Sequence, residues 1–232
     1  MKNGCMGKVL WVDLSRKTIS EEPIPEAQYQ KYLSGIGLAS KLLYNRIPAG
    51  ADPLGPENIL GFVSGLLTGT GSLFAGRWMA VGKSPLTGTW GDANCGGNFS
   101  PAIKRCGYDG IFFSGISEKP VYLFIDKDGA SLRDAAYIWG LDTKETENRL
   151  RQHAGCAHAR IACIGQAGEK RSLISGIAND GGRMAARSGL GAVMGSKRLK
   201  ALVLCGARRI RSHDSPTIKK LSRQCNESIQ FM

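Results

Sequence analysis

A chain of 232 residues, 42% of them hydrophobic, can form one large domain or two small ones. No apolar run approaches the ~18 residues of a membrane span and no secretory pattern follows Met1, so the expectation is a cytoplasmic protein with no membrane partner. The net charge of +12 gathers in the last quarter, where Lys170 to Met232 holds thirteen Lys/Arg against Asp180, Asp214 and Glu227. That excess could serve a nucleic-acid patch, neutralise a polyanionic small molecule, or form a solvated basic face. Aromatic residues at 7% and the lack of any nucleic-acid-binding motif argue against a nucleic-acid partner.

Glycine is over-represented at 31 residues, about twice the usual ~7%, and sits in short clusters between apolar runs. The seven cysteines are odd in number and scattered, which argues against a disulfide framework. No two have C-x-x-C spacing, and His153, His158 and His213 flank no cysteine pair, so a local zinc or iron–sulfur signature is absent. Cys106, Cys163 and Cys205 lie in or beside apolar runs and read as buried thiols, whereas Cys95 lies inside a glycine cluster.

In chain order, Lys8–Leu14, a polar turn at Ser15–Lys17 and Thr18-Ile19 read as a hairpin. A helix candidate follows from about Glu26 to Ile47, interrupted by Gly35 and Gly37. The pattern then returns. Val121–Asp126, a turn at Lys127–Gly129 and Ala130–Leu132 form a second hairpin. A second helix starts at Asp142, whose spacing to Glu145 fits a capping box, and runs to about His153.

Both halves also carry an A-N-x-G-G motif, Ala93–Gly97 and Ala178–Gly182. Each precedes a basic helical stretch, Ala102–Arg105 or Met194–Arg198, and an apolar strand, Gly110–Gly115 or Ala201–Gly206. The order hairpin, helix, strand, glycine loop, helix, strand thus occurs twice and predicts an internal duplication. Glycines leading into a helix bring backbone N–H groups and the positive end of the helix dipole to an anion. Two such loops predict two equivalent anionic groups about a pseudo-two-fold axis. Arg77, Arg183 and Arg187 lie nearby and supply the planar donors that suit phosphate. Lys197, Arg198 and Lys200 read as a solvated helix face, and the four tryptophans as core or edge packing.

At these motifs the chain resembles the N-terminal domain of the aldehyde ferredoxin oxidoreductase family, the tungsten-pterin enzymes. The resemblance runs from about Gly7 to Arg209. It rests on Gly7–Leu14, Pro53–Asn58, Leu67–Thr70, Gly76-Arg77, Lys83–Gly88, Gly107–Asp109, Ile164–Glu169 and Gly191–Lys197. It implies an α+β base domain of two similar β-rich halves, about 7–117 and 118–210. On that base would rest a tungsten or molybdenum ion held by two pterins whose phosphates share a magnesium ion.

Carried over by position, the resemblance places Arg77 near both pterins and Gly96 and Arg183 against their phosphates or rings. It gives Asn94 and Met184 backbone carbonyls that ligate the magnesium, and puts Ala186 in the same cofactor-binding loop. Departures are Met184 where the family prototype has alanine, Ala186 where it has glycine, and Cys95 where it has serine. The family holds tungsten through pterin sulfurs, not through a protein ligand at position 95.

The resemblance further implies an oxidoreductase that converts aldehydes to carboxylic acids and passes electrons to ferredoxin. In the family a [4Fe–4S] cluster is ligated by later domains, and its ligands are absent from this chain. Residues 211–232 read as the start of a following helical domain, with a helix beginning near Ser215-Pro216. The expectation is therefore a chain inactive alone. It would be a truncated, non-catalytic remnant or one piece of a split enzyme whose C-terminal domains lie on a separate chain.

Overall fold

The computed structural model describes residues 3–230, and its elements follow the doubled plan. The first half holds β1 (Lys8–Asp13), β2 (Thr18–Pro23), α1 (Glu26–Tyr32), α2 (Ile36–Tyr44), β3 (Leu60–Ser64), β4 (Trp78–Lys83), β5 (Trp90–Cys95), α3 (Phe99–Arg105) and β6 (Gly110–Ser114). The second holds β7 (Val121–Ile125), β8 (Ala130–Asp134), α4 (Thr143–His153), β9 (Arg160–Cys163), α5 (Gln166–Glu169), β10 (Ile177–Asn179), β11 (Arg183–Ala185), α6 (Leu190–Ser196) and β12 (Leu199–Leu204). An exposed helix, α7 (Ser215–Gln230), follows.

Each half folds into its own six-stranded sheet. The first runs β2-β1-β6-β3-β4-β5 and the second, in the corresponding direction, β8-β7-β12-β9-β10-β11. The sense of pairing matches strand for strand. Only β1 with β6 and β7 with β12 are parallel, and the other pairs are antiparallel. The duplication read from the sequence is therefore a duplication of topology.

Local sequence explains the matching hairpins. At the end of the first strand of each, an aspartate accepts from the turn, Asp13 as the last residue of β1 and Asp126 as the residue after β7. Asp13 Oδ1 accepts from Ser15 N and Arg16 N, and Asp126 Oδ1 accepts from Asp128 N. Asp142 caps α4 as its spacing predicts, accepting from Glu145 N at 2.8 Å. The long helix expected over 26–47 is two helices, broken where Leu33 and Gly35 take φ of 59° and 63°. Gly37 does not interrupt. It lies inside α2, where a Cβ would collide with the Tyr32 carbonyl oxygen.

Alternating strand residues divide the interior into layers. Leu10, Val12, Phe62, Trp78, Phe113, Leu123, Ile164, Leu202 and Leu204 face a shared core between the two sheets, which α3 and α6 enter with Phe99, Ile103, Val193 and Met194. Val9, Val63 and Phe112 face the opposite side and pack under α2 with Leu38, Leu42 and Leu43. Tyr122, Phe124 and Val203 do the same for α4 with Leu150. The two sheets thus clasp a common core, which fixes the halves against each other. Among the described residues, no helix is long and apolar enough to cross a membrane.

Two sequence expectations need correction. The first A-N-x-G-G motif ends β5 and leads into α3, as predicted, but the second is the turn of the β10–β11 hairpin, and α6 begins only at Leu190. The supposed solvated lysines are buried. Lys197 and Lys200 are both 0% exposed, and only Arg198 of that stretch faces water. Lys197 Nζ donates to Asn58 O and Gly115 O, crossing into the first half. Lys200 Nζ donates to Leu141 O and pairs with the Glu169 carboxylate. Carbonyl oxygens and one carboxylate replace water around these ammonium groups. Cys106, Cys163 and Cys205 are buried as expected, and so is Trp78.

Candidate functional site

The edge strand of each sheet faces the other. A Cβ at Gly91 would meet Ser188, and one at Gly96 would meet Arg183 Nη1 at 3.5 Å, so β5 and the 183–188 segment run antiparallel side by side. Ser84 and Ser188 tie this seam at one end, donating to Ser188 O at 2.9 Å and Asp92 O at 3.1 Å. Two antiparallel edges imply a local two-fold axis between them. It relates β5, where Asn94 stands opposite Met79, to β11, where Met184 stands opposite Ala178.

Burial agrees with this pairing. Ala93, Cys95 and Ala185 point into the core, whereas Asn94, Met184 and Ala186 are exposed. Asn94 and Met184 are thus exposed on the two facing edges, whereas the second asparagine of the sequence echo is not. Asn179 is 0% exposed and works inside the seam.

Arg77 precedes β4 and lies on the same exposed face. Its guanidinium grips the Asn94 side chain, with Nε donating to Oδ1 at 2.9 Å and Nη2 donating to the same oxygen. Arg183 lies over Gly96 from the other half. Burial raises the Cys95 thiol pKa, and the Arg77 and Arg183 guanidiniums both pull it back, so both arginines stand near one sulfur. Among the described residues, Arg77, Arg183 and Arg187 have no carboxylate partner. Arg77, Asn94, Gly96, Arg183, Met184 and Ala186 thus lie along one seam.

The predicted anion mechanism is corrected in one respect. One N–H at each loop is already taken by a carboxylate of the chain itself. Asn98 N, at the start of α3, donates to Asp180 Oδ2 at 2.5 Å, and Gly181 N donates to Glu147 Oε2 at 2.8 Å. An external anion on this face meets guanidiniums instead. Asp180 stood in the sequence as the variable position of its motif, and only its carboxylate hinted at this part. Glu147 lies 34 residues from its partner and left no local signal. Asn179 completes the seam, accepting from Cys95 Sγ at 2.9 Å and donating to Gly96 O at 3.2 Å. Cys95 therefore points inward and away from the exposed face.

An apolar hollow of about 390 Å³ borders Arg77, lined by Leu33, Leu66, Leu67, Leu73 and Phe74. Phe74, which lines this hollow, is 81% exposed. Among the described residues, no group of three or more His, Cys, Asp or Glu side chains is arranged to hold a metal ion.

The fold is a doubled α+β base with arginines along its seam that have no carboxylate partner among the described residues. Residues 9–206 match the N-terminal domain of aldehyde ferredoxin oxidoreductase, and the chain belongs to that family. It is 40% identical over 227 residues to a tungsten-containing aldehyde ferredoxin oxidoreductase of Pyrococcus horikoshii, covering 98% of this chain and 37% of the relative. A Thermococcus kodakarensis enzyme of the same name is 44% identical over 207 residues, 89% of this chain and 34% of that protein. The chain thus spans little more than a third of these relatives. Among solved structures, the active site complex BamBC of benzoyl coenzyme A reductase superposes with a TM-score of 0.88 at 36% identity, covering 91% of this chain and 32% of that one.

Proposed function

We propose that the seam between β5 and β11 holds a tungsten or molybdenum bis-pterin cofactor, and that the chain is the cofactor base of a larger oxidoreductase. The observation that carries this reading is the exposure of Asn94 and Met184 on the two facing edge strands, flanked by Arg77 and Arg183. A bis-pterin is itself two-fold symmetric and carries a phosphate on each arm. Guanidiniums without carboxylate partners are the donors such phosphates select. The residues present therefore fit the group.

In this reading the Asn94 and Met184 backbone carbonyls would hold a magnesium ion. Ligation by backbone would tolerate both asparagine and methionine side chains there. Arg77 would lie near both pterins, Gly96 would allow close approach to the backbone, and Arg183 would bind a phosphate. Ala186 has its methyl on the exposed face, where it narrows but leaves open the approach to the backbone. The bound metal supplies the two-electron redox chemistry, and the chain contributes position, charge and exclusion of water.

The larger protein would oxidise aldehydes to carboxylic acids with ferredoxin as acceptor, in the cytoplasm. A [4Fe–4S] cluster and the substrate-handling groups would come from chain beyond this domain or from a partner chain. The exposed Phe74 beside Arg77 and Met184 on β11 suit a face that such a portion covers. One fold shared by an aldehyde oxidoreductase and a benzoyl coenzyme A reductase complex supports a division of labour, with the cofactor here and substrate choice elsewhere. Residues 211–232 would open the following domain.

The test is metal and pterin analysis of protein purified anaerobically from its native host. Stoichiometric tungsten or molybdenum with pterin is expected. A protein lacking both metals and pterin would refute the reading and favour a non-catalytic remnant.

A further inference from the structure

The seam contains one feature that cofactor contact does not explain. The Asp180 carboxylate crosses from the second half into the first. Its Oδ2 accepts from Asn98 N at 2.5 Å and from Asn179 Nδ2 at 3.0 Å, while Arg160 Nη1 stands 3.9 Å from Oδ1. The carboxylate fits only because position 97 has no side chain. A Cβ there would collide with Asp180 Oδ2 and lie 2.9 Å from Asn179 Nδ2. Gly97 also holds φ at +105°, and Asp180 itself takes φ of 47°, a conformation unfavourable for a side-chain-bearing residue. A non-glycine residue held in this region signals a position fixed by its surroundings. Glu147 Oε2, accepting from Gly181 N, holds the same turn from behind.

We propose that Asp180 is a positioning residue for the cofactor face: its carboxylate, lodged in the space left by Gly97, latches the β5–α3 corner to the β10–β11 turn and so sets the separation of residues 94 and 184. The latch acts four residues from each of those positions, at the point where both edge strands turn away from the seam. It works through Asn98 and Gly97 and touches neither pterin nor metal. The proposal rests on the bis-pterin reading of the face for its purpose, but its geometry belongs to the chain alone.

Hydrogen exchange followed by mass spectrometry on the full chain tests the latch. Asp180→Ala should speed exchange in segments 93–99 and 179–186 by about tenfold or more. Asp180→Asn keeps an oxygen acceptor but not the charge, so it should give a smaller rise of about threefold in the same two segments. The 121–134 hairpin should keep its wild-type rate in both. The Asn variant gives the answer even if the Ala variant does not fold. Exchange that rises evenly over both halves, or stays unchanged in 93–99, overturns the proposal.

The purpose is read separately, in protein loaded in its native host. Both variants should lose tungsten or molybdenum on heating faster than wild type, Ala before Asn. Retention equal to wild type despite faster local exchange would overturn the positioning role. A wild-type protein holding neither metal would instead remove the cofactor reading, and the exchange data would still judge the latch.

Discussion

The Cys95 thiol and the Asn179 amide meet across the seam between the halves, with Sγ donating to Oδ1 at 2.9 Å, while Nδ2 of the same amide donates to Gly96 O at 3.2 Å. Both residues are almost fully buried, at 3% and 0% exposure. Asn179→Ala would leave the Gly96 carbonyl and the thiol without these partners and should cost about 2–3 kcal/mol in urea denaturation. Cys95→Ser retains a donor of similar size and should shift stability by less than about 1 kcal/mol. Equal losses for the two would show that the seam bond does not carry this energy.

A second prediction concerns a buried ammonium. Burial lowers the Lys197 pKa from 10.5 to about 7, with no carboxylate in contact to counter it. The unfolded chain keeps this proton to about pH 10.5, while the native state releases it near pH 7. Between those values the unfolded state binds more protons, so stability from this group rises with pH. The stability of wild type relative to Lys197→Met should therefore increase from pH 7 to pH 9. Lys104, lowered to about 8 by burial, has the same sign but is common to both proteins and cancels in the difference. A difference that stays flat with pH would contradict the assignment.

The crossing of α5 and α6 depends on a missing side chain. A Cβ at Gly195 would collide with the Gly168 carbonyl oxygen and lie 3.2 Å from Glu169 Cα, and backbone cannot swing aside as a side chain can. Gly195→Ala should destabilise the protein by about 3 kcal/mol or more, seen as a lower urea midpoint. Gly181→Ala has open space around its Cβ but a φ of +74°, so backbone strain alone acts and the loss should be smaller, about 1–2 kcal/mol.

The seam arginines should separate function from folding. Arg77 and Arg183 are exposed and have no ion-pair partner among the described residues. Arg183→Gln should change apo stability by no more than about 0.5 kcal/mol while reducing the metal retained after purification. Arg77→Lys should do the same, since a lysine cannot reproduce a planar two-nitrogen grip. A large loss of apo stability would move these residues from binding to structure.

Much of the fold was legible because hairpin and cap chemistry is local. Asp13, Asp126 and Asp142 each act within three residues of themselves, and a single sequence displays such contacts directly. The duplication was legible from the order of elements. Its register was not, because Asn and Gly recur wherever the backbone needs positive φ, and A-N-x-G-G therefore marked two different turns. Asn94 and Met184, which the family resemblance names together, share no side-chain chemistry by which the repeat itself could display them. The buried lysines escaped for the reverse reason. Their partners are backbone carbonyls from distant segments, such as Gly4 O, Leu66 O and Thr68 O around Lys104, and carbonyls carry no sequence signature.

The most direct test of the account is an experimental structure of the cofactor-loaded protein, with tungsten or molybdenum located by anomalous scattering. The account predicts the heavy metal over the seam beside Arg77, with a magnesium ion between the carbonyl oxygens of Asn94 and Met184. A cofactor bound elsewhere on the chain, or a seam with its two carbonyls bare in loaded protein, would contradict it.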